Sequence, residues 1–239
     1  MHHLTAIIAA GGSGTRMNAG VNKQYLQLLD KPVLVHTLDL FERSPLVNEI
    51  IVVVPKDEIE HCKKEIIKPL GFTKIERIVG GGAERQDSVY NGLTALDDSC
   101  EYVAVHDGAR PLLTSETLSR VVMEGFRHGA AVAAVPLKDT IKTGNTEGFV
   151  TGTPERSGIW TVQTPQVFEK GLLVRAYEYA RRVSFVGTDD SMLVEKLGAP
   201  VKLVLGDYEN IKITTQEDMV VASQILTWRR EKDEGGDGL

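Results

Sequence analysis

The sequence contains only two cysteines, Cys62 and Cys100, among its 239 residues. Two cysteines cannot build a disulfide scaffold, and they lack the spacing of a zinc site. An excess of positive charge is also missing, because 33 acidic residues outnumber 27 lysines and arginines and give a formal net charge of −6. This balance argues against nucleic acid or an anionic membrane as the main partner, since both require a basic surface.

Long apolar runs are absent as well. A membrane-spanning helix needs about 18 or more consecutive apolar residues, and the sequence has no such run. The N-terminus enters a strand-like segment without the charged leader and apolar stretch of a signal peptide. The composition, with 42% hydrophobic and 25% charged residues, is ordinary for a globular protein. We therefore expect a soluble cytoplasmic protein.

Short β-rich apolar runs alternate with helical patterns along the chain. The clearest run, Ile50-Ile51-Val52-Val53-Val54, is apolar at every position, as in strands that are buried on both faces of a parallel sheet. Strands are predicted at residues 4–10, 49–54, 74–79, 102–106, 130–137 and 201–205. Helices are predicted at residues 33–42 and 84–96, from Thr114 or Ser115, and from about Thr214. This alternation predicts an α/β fold with a mainly parallel sheet, which binds ligands at the carboxyl ends of its strands.

Residues 138–163 interrupt this alternation. They are rich in threonine and glycine, and turn residues such as Gly144-Asn145 separate short runs of β-forming residues, which predicts a β-hairpin. An insertion of this length in a compact domain is usually functional. An arm that reaches another subunit and a surface flap without a special role both stay open. The rest of residues 1–228 is expected to form one domain, and residues 229–239 a frayed tail.

The first predicted strand leads directly into the loop Gly11-Gly12-Ser13-Gly14-Thr15-Arg16. Three glycines in four positions allow backbone N–H groups to approach phosphate oxygens, because no Cβ atoms block them. The loop lacks the Gly-Lys-Ser/Thr ending of the ATP/GTP loop and matches the dinucleotide fingerprint G-x-G-x-x-G only in part. A phosphate cradle and a plain tight turn are the two interpretations of the glycines alone.

Two cations accompany this loop, Arg16 within it and Lys23 seven residues later. Together they could neutralise a triphosphate and the charge that develops at its α-phosphorus during displacement. The alternative is a pair of solvated surface cations.

Four later motifs add a resemblance to a known family. They are Gly80-Gly81-Gly82-Ala83-Glu84-Arg85-Gln86-Asp87-Ser88-Val89, Val105-His106-Asp107-Gly108-Ala109-Arg110-Pro111, Thr164-Pro165-Gln166 and Asn210-Ile211-Lys212. The glycine loop with Lys23 resembles the signature of the nucleoside-diphospho-sugar transferase fold. The whole set, in this order, resembles the 2-C-methyl-D-erythritol 4-phosphate cytidylyltransferases of the non-mevalonate isoprenoid pathway. The resemblance extends from Leu4 to about Trp228 and implies a Rossmann-like sheet with an inserted β-arm.

The resemblance implies a reaction of CTP with 2-C-methyl-D-erythritol 4-phosphate that gives 4-diphosphocytidyl-2-C-methyl-D-erythritol and pyrophosphate. It assigns CTP binding to Ala9, Ala10, Gly11, Gly12, Gly14, Arg16, Lys23, Gly82, Ala83 and Ser88. It assigns binding of the sugar phosphate to Asp107, Arg110, Thr140, Arg156, Thr164, Thr188 and Lys212. It also implies Mg²⁺ bound mainly through the CTP phosphates, with no protein ligand assigned, and a homodimer in which the arm carries Arg156 into the neighbouring site. Asn22 and Ala83 depart from the family, which commonly has proline and often has a polar residue at these positions.

Such a reaction needs no general base. A phosphate monoester has a second pKa of about 6, so the acceptor is largely a dianion at neutral pH. The obstacle is that one anion must attack another, and the enzyme must supply positive charge and alignment. Arg16 and Lys23 would act on the α-phosphate and the leaving pyrophosphate, while Arg156 and Lys212 would hold the attacking phosphate in line.

The pairs His106-Asp107 and Asp189-Asp190 each have more than one interpretation. His106 precedes Asp107, but adjacent residues of a strand point to opposite faces, so we expect His106 to be structural and Asp107 to bind substrate. Asp189-Asp190 resembles a metal-binding pair, yet either residue is an equally good N-cap for a helix that begins near Ser191. We assign neither carboxylate as a metal ligand.

Three other functions remain as alternatives. A cytidylyltransferase for another polyol phosphate, such as ribitol 5-phosphate, shares the glycine loop. A non-catalytic nucleotide-binding protein could use the same fold, although the presence of both Arg16 and Lys23 argues against it. A dinucleotide-dependent oxidoreductase is disfavoured, because the last glycine of its fingerprint is missing.

Overall fold

A central sheet of seven strands organises the protein, whose computed structural model describes residues 2–11 and 22–235. Its strands are β1 (Leu4–Ala9), β4 (Glu49–Val54), β5 (Ile75–Gly80), β6 (Tyr102–Asp107), β7 (Ala130–Pro136), β10 (Trp160–Glu169) and β11 (Lys202–Leu205). They lie in the order β11-β7-β10-β6-β1-β4-β5. Strand β10 is antiparallel to both of its neighbours, and every other pair is parallel. Strands β2 (Gln27–Leu28) and β3 (Lys31–Pro32) pair with each other outside this sheet. The predicted α/β fold with a mainly parallel sheet is confirmed.

Helices cover both faces of this sheet. Their bounds are α1 (Val33–Arg43), α2 (Ile59–His61), a π-helical stretch (Cys62–Ile67), α3 (Lys68–Leu70), α4 (Arg85–Thr94), α5 (Ser115–His128), α6 (Lys170–Arg182), α7 (Asp190–Lys196) and α8 (Gln216–Gly235). Buried side chains of α1 and α5 pack on one face with Leu4 and Ile8 of β1. Those of α4, α6 and α7 pack on the other face, where Ile7 of the same strand points. The alternation of side chains along β1 thus separates two apolar layers.

Most predicted elements agree with the structure to within one or two residues, and the agreement has local causes. Thr114 caps α5, because its side chain accepts a hydrogen bond from Thr117 N at 3.3 Å. The helix ends at Gly129, whose φ of 77° suits a residue without a Cβ atom. Asp189 caps α7 in the same way by accepting from Met192 N at 2.9 Å, as one of the two N-cap interpretations predicted.

Strand β10 is the main element that the sequence pattern does not predict, and it shortens the expected arm. The hairpin is present as β8 (Thr143–Gly144) and β9 (Val150–Gly152), but the chain rejoins the central sheet at Trp160. Residues 160–163, assigned above to the arm, therefore belong to β10. Pro165 would normally argue against a strand. It lies where the register with β7 shifts, between Val162 and Gln166, so its missing N–H removes no bond from that ladder.

The C-terminal helix continues beyond the boundary expected at Arg229. Helix α8 remains helical as far as Gly235. Arg229 accounts for part of this difference, since its guanidinium lies 2.8 Å from Glu209 Oε2 and donates to the carbonyl of Leu112 at 3.0 Å.

Helix α6 is a further element that the sequence pattern did not predict. None of the helices within the described ranges is long and apolar enough to cross a membrane.

We expect Gly125→Ala to lower the free energy of unfolding by about 1–3 kcal/mol through overpacking. A Cβ atom at Gly125 would lie 2.5 Å from Val167 Cγ1 and 2.9 Å from Val167 Cβ, so α5 would have to move away from β10. This cost should exceed the gain in helix propensity, which is about 1 kcal/mol. Urea unfolding measures the change. Gly158→Ala is the control, because a Cβ atom there would have no neighbour within 4 Å. Equal stability of Gly125→Ala and the parent would contradict the packing argument.

Candidate active site

The first residues after β1, β5 and β6 lie side by side at the carboxyl edge of the sheet. Ala10 N donates to Val53 O at 2.8 Å, and Gly81 N donates to Val54 O at 2.7 Å. On the other side of β1, Gly108 N donates to Ala9 O at 2.9 Å. These bonds bring the beginnings of the glycine loop, the Gly80–Gly82 motif and the His-Asp-Gly-Ala-Arg-Pro motif into one crevice, where the α/β fold was expected to bind its ligand.

Close packing around Ser88 explains the glycines of this crevice. A Cβ atom on Gly11 would lie 3.1 Å from Ser88 Oγ, and one on Gly82 would lie 2.3 Å from Asp87 Cβ. Ser88 Oγ accepts a hydrogen bond from Gly82 N at 3.1 Å and donates to Glu84 O at the same distance. Three residues predicted to bind CTP are thus brought together at the N-terminus of α4. Ala83, in the same loop, is exposed.

Of the predicted cation pair, only the backbone of Lys23 lies within the described residues. Gly12, Gly14 and Arg16 lie outside the described residues, as does the side chain of Lys23. The backbone of Lys23 begins the 3-10 turn Lys23–Tyr25.

Both neighbours of Lys23 are held by one carboxylate. Asn22 Nδ2 donates to Glu58 Oε1, and Gln24 Nε2 donates to Glu58 Oε2 at 3.3 Å. Glu58 ends the 3-10 turn Lys56–Glu58 that follows β4. The side chain of Asn22, which stands where the family commonly has proline, therefore supplies a constraint of its own beside Lys23.

Asp107, the last residue of β6, is surrounded by cations. Its Oδ1 lies 2.9 Å from Arg85 Nε, and its Oδ2 lies 2.8 Å from Lys212 Nζ and 3.6 Å from Arg110 Nε. The residue is only 5% exposed. Burial by itself would raise the pKa of the Asp107 carboxyl, but the charges of Arg85, Lys212 and Arg110 outweigh it and hold this pKa well below its usual range. Asp107 is thus a permanent anion among three cations.

Hydrogen bonds connect this cluster to β10 and to the loop before α8. Arg110 donates through Nη1 to Asn210 O at 2.7 Å, and Asn210 Nδ2 donates to Thr164 O at 2.9 Å. Thr164 Oγ1 accepts from Asp107 N at 3.1 Å. The structure therefore brings together four residues predicted for the sugar phosphate, namely Asp107, Arg110, Thr164 and Lys212.

The other three predicted residues lie on exposed segments. Thr140 and Arg156 belong to the arm, and Arg156 donates through Nη1 to the carbonyl of Lys138. Thr188 precedes α7, where its N and Oγ1 lie 3.5 and 3.6 Å from Met192 Sδ. Within the described part of one chain, no recorded polar contact joins these residues to Asp107.

Sequence reasoning assigned no role to Arg85 or Asn210, and both prove central to the cluster. Arg85 Nη2 lies 2.8 Å from Asp190 Oδ2, in addition to its bond with Asp107. Burial alone would lower the pKa of Arg85, but Asp190 and Asp107 raise it well above its ordinary value. Asn210 is fully buried between Arg110 and Thr164. The only available signal was the presence of both residues in the quoted motifs.

His106 points away from Asp107, as the strand geometry predicted. It is fully buried, its Nε2 lies 3.2 Å from Arg110 O, and its ring lies 5.1 Å from that of Phe41. Burial lowers the pKa of His106 to about 4. Since Nε2 faces a carbonyl, it carries the proton, and Nδ1 has no hydrogen-bond partner among the described residues. This placement agrees with the structural role expected for His106.

The side chains at this edge suit anionic oxygens. Two arginines and a lysine surround the buried carboxylate of Asp107, and one of them, Arg85, also binds the buried carboxylate of Asp190. Among residues 2–11 and 22–235, no group of three or more histidine, cysteine, aspartate or glutamate side chains could hold a metal ion.

Comparison with known proteins agrees with this geometry. Residues 4–228 match the family model described as 2-C-methyl-D-erythritol 4-phosphate cytidylyltransferase. A protein of that name from Alkaliphilus metalliredigens is 49% identical over 231 residues, which cover 97% of this chain and 96% of the relative. Another, from Caldanaerobacter subterraneus subsp. tengcongensis, is 48% identical and covers 94% of this chain and 99% of its own length. Among solved structures, 4-diphosphocytidyl-2C-methyl-D-erythritol synthase from Anaerococcus prevotii superposes with a TM-score of 0.84 at 36% identity, over 95% of this chain and 99% of the other.

We expect His106 to make the protein less stable as the pH falls from about 6.5 to about 4. The unfolded chain takes up a proton on this histidine within that window, while the folded protein, with a pKa of about 4, does not. The loss amounts to roughly 3 kcal/mol, and it is absent above pH 6.5. His106→Gln keeps an N–H donor for Arg110 O and should reduce this dependence.

Urea unfolding of both proteins at pH 7 and pH 4.5 measures the effect. His128→Gln is the control, because the side chain of His128 is 42% exposed. An unchanged pH dependence in His106→Gln would contradict the assignment.

Proposed function

The chain belongs to the 2-C-methyl-D-erythritol 4-phosphate cytidylyltransferase family, and from this premise we propose that it joins CTP to 2-C-methyl-D-erythritol 4-phosphate at the crevice described above. The observation that carries the proposal is the cluster of Arg85, Arg110 and Lys212 around the buried Asp107. It lies next to the glycine-lined crevice between Gly11, Gly82 and Ser88. One half suits an acceptor with hydroxyl and phosphate groups, and the other suits a nucleotide.

The reaction is a displacement at the α-phosphorus of CTP. A phosphate oxygen of the acceptor forms a new bond to this phosphorus, and the bond to the bridging oxygen of the β-phosphate breaks. The electron pair leaves with pyrophosphate, and the product is 4-diphosphocytidyl-2-C-methyl-D-erythritol. The acceptor phosphate is largely a dianion near neutral pH, so no side chain has to remove a proton.

The protein's contribution is positive charge and alignment. Lys212 is suited to hold the attacking phosphate, because its side chain is 37% exposed while the carboxylate it pairs with is 8% exposed. Asp107 and Thr164 would bind the acceptor hydroxyls. Arg16 and Lys23 belong to the proposal as the cations that stabilise the α-phosphate and the leaving pyrophosphate.

Mg²⁺ enters the proposal as part of the nucleotide substrate. The cations of the crevice suit phosphate oxygens and not a metal ion, so a magnesium ion would be bound mainly by the triphosphate itself. Bound there, it would neutralise charge on the phosphates and polarise them.

A homodimer through the arm and a cytoplasmic location complete the proposal. Phe149 and Val150, near the tip of the hairpin, are 68% and 64% exposed, and Arg156 is exposed at its base. A partner subunit would cover the apolar tip and receive the arginine. Cys62 and Cys100 are buried and unpaired, which fits a reducing compartment.

Pyrophosphate release tests the reaction. Among CTP, UTP, ATP and GTP, we expect release with CTP and only when 2-C-methyl-D-erythritol 4-phosphate is present. Ribitol 5-phosphate should be a poor acceptor.

Lys212→Ala should lower turnover by on the order of 10²–10³, by analogy with the loss of an oxyanion donor. Lys202→Ala, at the exposed first residue of β11, is the matched control. Equal rates with the two acceptors would reassign the substrate, and full activity of Lys212→Ala would refute its role.

Mixing two inactive variants tests whether Arg156 acts in the partner's site. Co-expressed Arg156→Ala and Lys212→Ala chains form mixed dimers in which one site keeps both residues. We expect about a quarter of the parent activity, because half of the dimers are mixed and each has one complete site of two. If Arg156 acted in the site of its own chain, each site of a mixed dimer would lack one of the two residues. Activity would then stay at the level of the separate variants. Sedimentation establishes the dimer in parallel.

A further inference from the structure

Arg85 connects three elements at the floor of the acceptor half. It is the first residue of α4, and its side chain is 29% exposed. Its Nε lies 2.9 Å from Asp107 Oδ1 at the end of β6, and its Nη2 lies 2.8 Å from Asp190 Oδ2 at the beginning of α7. Two different nitrogen atoms of one guanidinium group thus bind two different carboxylates.

The two oxygens of Asp107 have different partners. Oδ1 binds Arg85, whereas Oδ2 binds Lys212 Nζ at 2.8 Å and lies 3.6 Å from Arg110 Nε. A carboxylate is planar, so fixing one oxygen fixes the direction of the other. The contact with Arg85 therefore determines where Asp107 presents the oxygen that holds the Lys212 ammonium group.

Arg85 is itself anchored in the core through Asp190. Asp190 Oδ1 accepts a hydrogen bond from the hydroxyl of Tyr177, a fully buried residue of α6. Gln166 holds the same turn, because its Nε2 donates to Asp189 Oδ2 at 2.8 Å and its Oε1 accepts from Ser191 N at 3.0 Å. The connection from Tyr177 through Asp190 and Arg85 to Asp107 is thus rigid at its inner end.

We propose that Arg85 is a positioning residue for the acceptor phosphate: it orients the Asp107 carboxylate so that Lys212 is held where the attacking phosphate binds. The inference rests on the proposed function and adds a residue to which no role was assigned. Arg85 does not touch the reacting atoms. It acts through Asp107 and also contributes positive charge next to the acceptor.

The planar guanidinium group of Arg85 and its pairing with Asp190 determine which variants test the proposal. Lysine keeps the charge, but as a point charge it cannot engage two carboxylates through separate N–H groups, so Arg85→Lys should restore function only in part. Removal of Arg85 alone would leave Asp190 buried without its cation and would destabilise the fold. The double variant Arg85→Gln with Asp190→Asn removes both charges and leaves an amide oxygen to accept from Tyr177.

Steady-state kinetics of pyrophosphate release, with each substrate varied in turn, test the proposal. In the double variant we expect kcat/KM for the acceptor to fall roughly 10–100-fold, as for a misplaced reactant, while KM for CTP changes less than about twofold. Arg120→Gln is the matched control. This arginine also joins a helix to a strand, donating to Thr117 Oγ1 and to Leu205 O at 3.0 Å each, but it lies outside the crevice.

A second measurement does not depend on turnover. Titration of the proteins with inorganic phosphate, followed by the NMR signals of the Lys212 side chain, reports the cation cluster directly. We expect weaker phosphate binding in the double variant than in the parent or in Arg120→Gln. Absence of turnover by the parent protein would refute the proposed function, and the phosphate titration would still decide the role of Arg85.

Two results would overturn the inference. An equal rise of KM for both substrates would show that Arg85 only joins α4 to α7. Unchanged phosphate affinity in a double variant that unfolds at the parent temperature would show that Lys212 does not depend on Arg85. A loss confined to the acceptor, with normal thermal unfolding, supports it.

Discussion

The cluster proposed to bind the acceptor depends on one buried carboxylate. Arg85 also binds Asp190, and Arg110 also donates to Asn210 O, but Asp107 is the carboxylate that all three cations share. Without Asp107, the positive groups of Arg85, Arg110 and Lys212 would repel one another across a few ångströms. With it, the fold concentrates positive charge before any substrate arrives. Much of the cost of arranging charge around a phosphate is therefore met during folding, which is the basis of electrostatic preorganisation.

The topology of the sheet determines where this charge can be used. From β1 the chain moves outward to β4 and β5, and then returns to place β6 on the other side of β1. The strand order reverses between β1 and β6, and at such a reversal a crevice opens at the carboxyl ends of the strands. Two glycines pack closely against α4 in the same region, since a Cβ atom on Gly82 would lie 2.3 Å from Asp87 Cβ and one on Gly11 would lie 3.1 Å from Ser88 Oγ.

The sequence predicted the elements whose signals are local. Runs such as Ile50–Val54 identify strands because both faces of the sheet are covered, and Thr114 identifies a helix start through its own cap. Strand β10 was not predicted, because Pro165 lies within it. The proline is tolerated at a register shift, which can be recognised only from the pairing with β7. Helix α6 is a different case, since Leu173, Ala176, Tyr177 and Ala180 follow a helical spacing that could have been found.

The candidate site was likewise predictable only where its signals are local. The motifs contain Asp107, Arg110, Thr164 and Lys212, and the fold brings these residues together. The partners that hold them were not predictable, because Arg85 and Asp190 are 105 positions apart in the sequence, and Arg110 and Asn210 are 100 apart. No local pattern reports an ion pair of that separation. Such a contact can be recognised only from the three-dimensional arrangement of β6, α4 and α7.

The protonation states near the crevice fit a reaction that needs no base. Asp107 stays ionised because surrounding cations hold its pKa low, and His106 stays neutral because burial lowers its pKa to about 4. Arginine keeps its proton at any pH that a folded protein experiences. The group that still titrates near neutrality is then the acceptor phosphate, with a second pKa of about 6. Its dianion is both the stronger nucleophile and the form that a fixed cluster of cations binds best, so one electrostatic arrangement selects and aligns the reactive species.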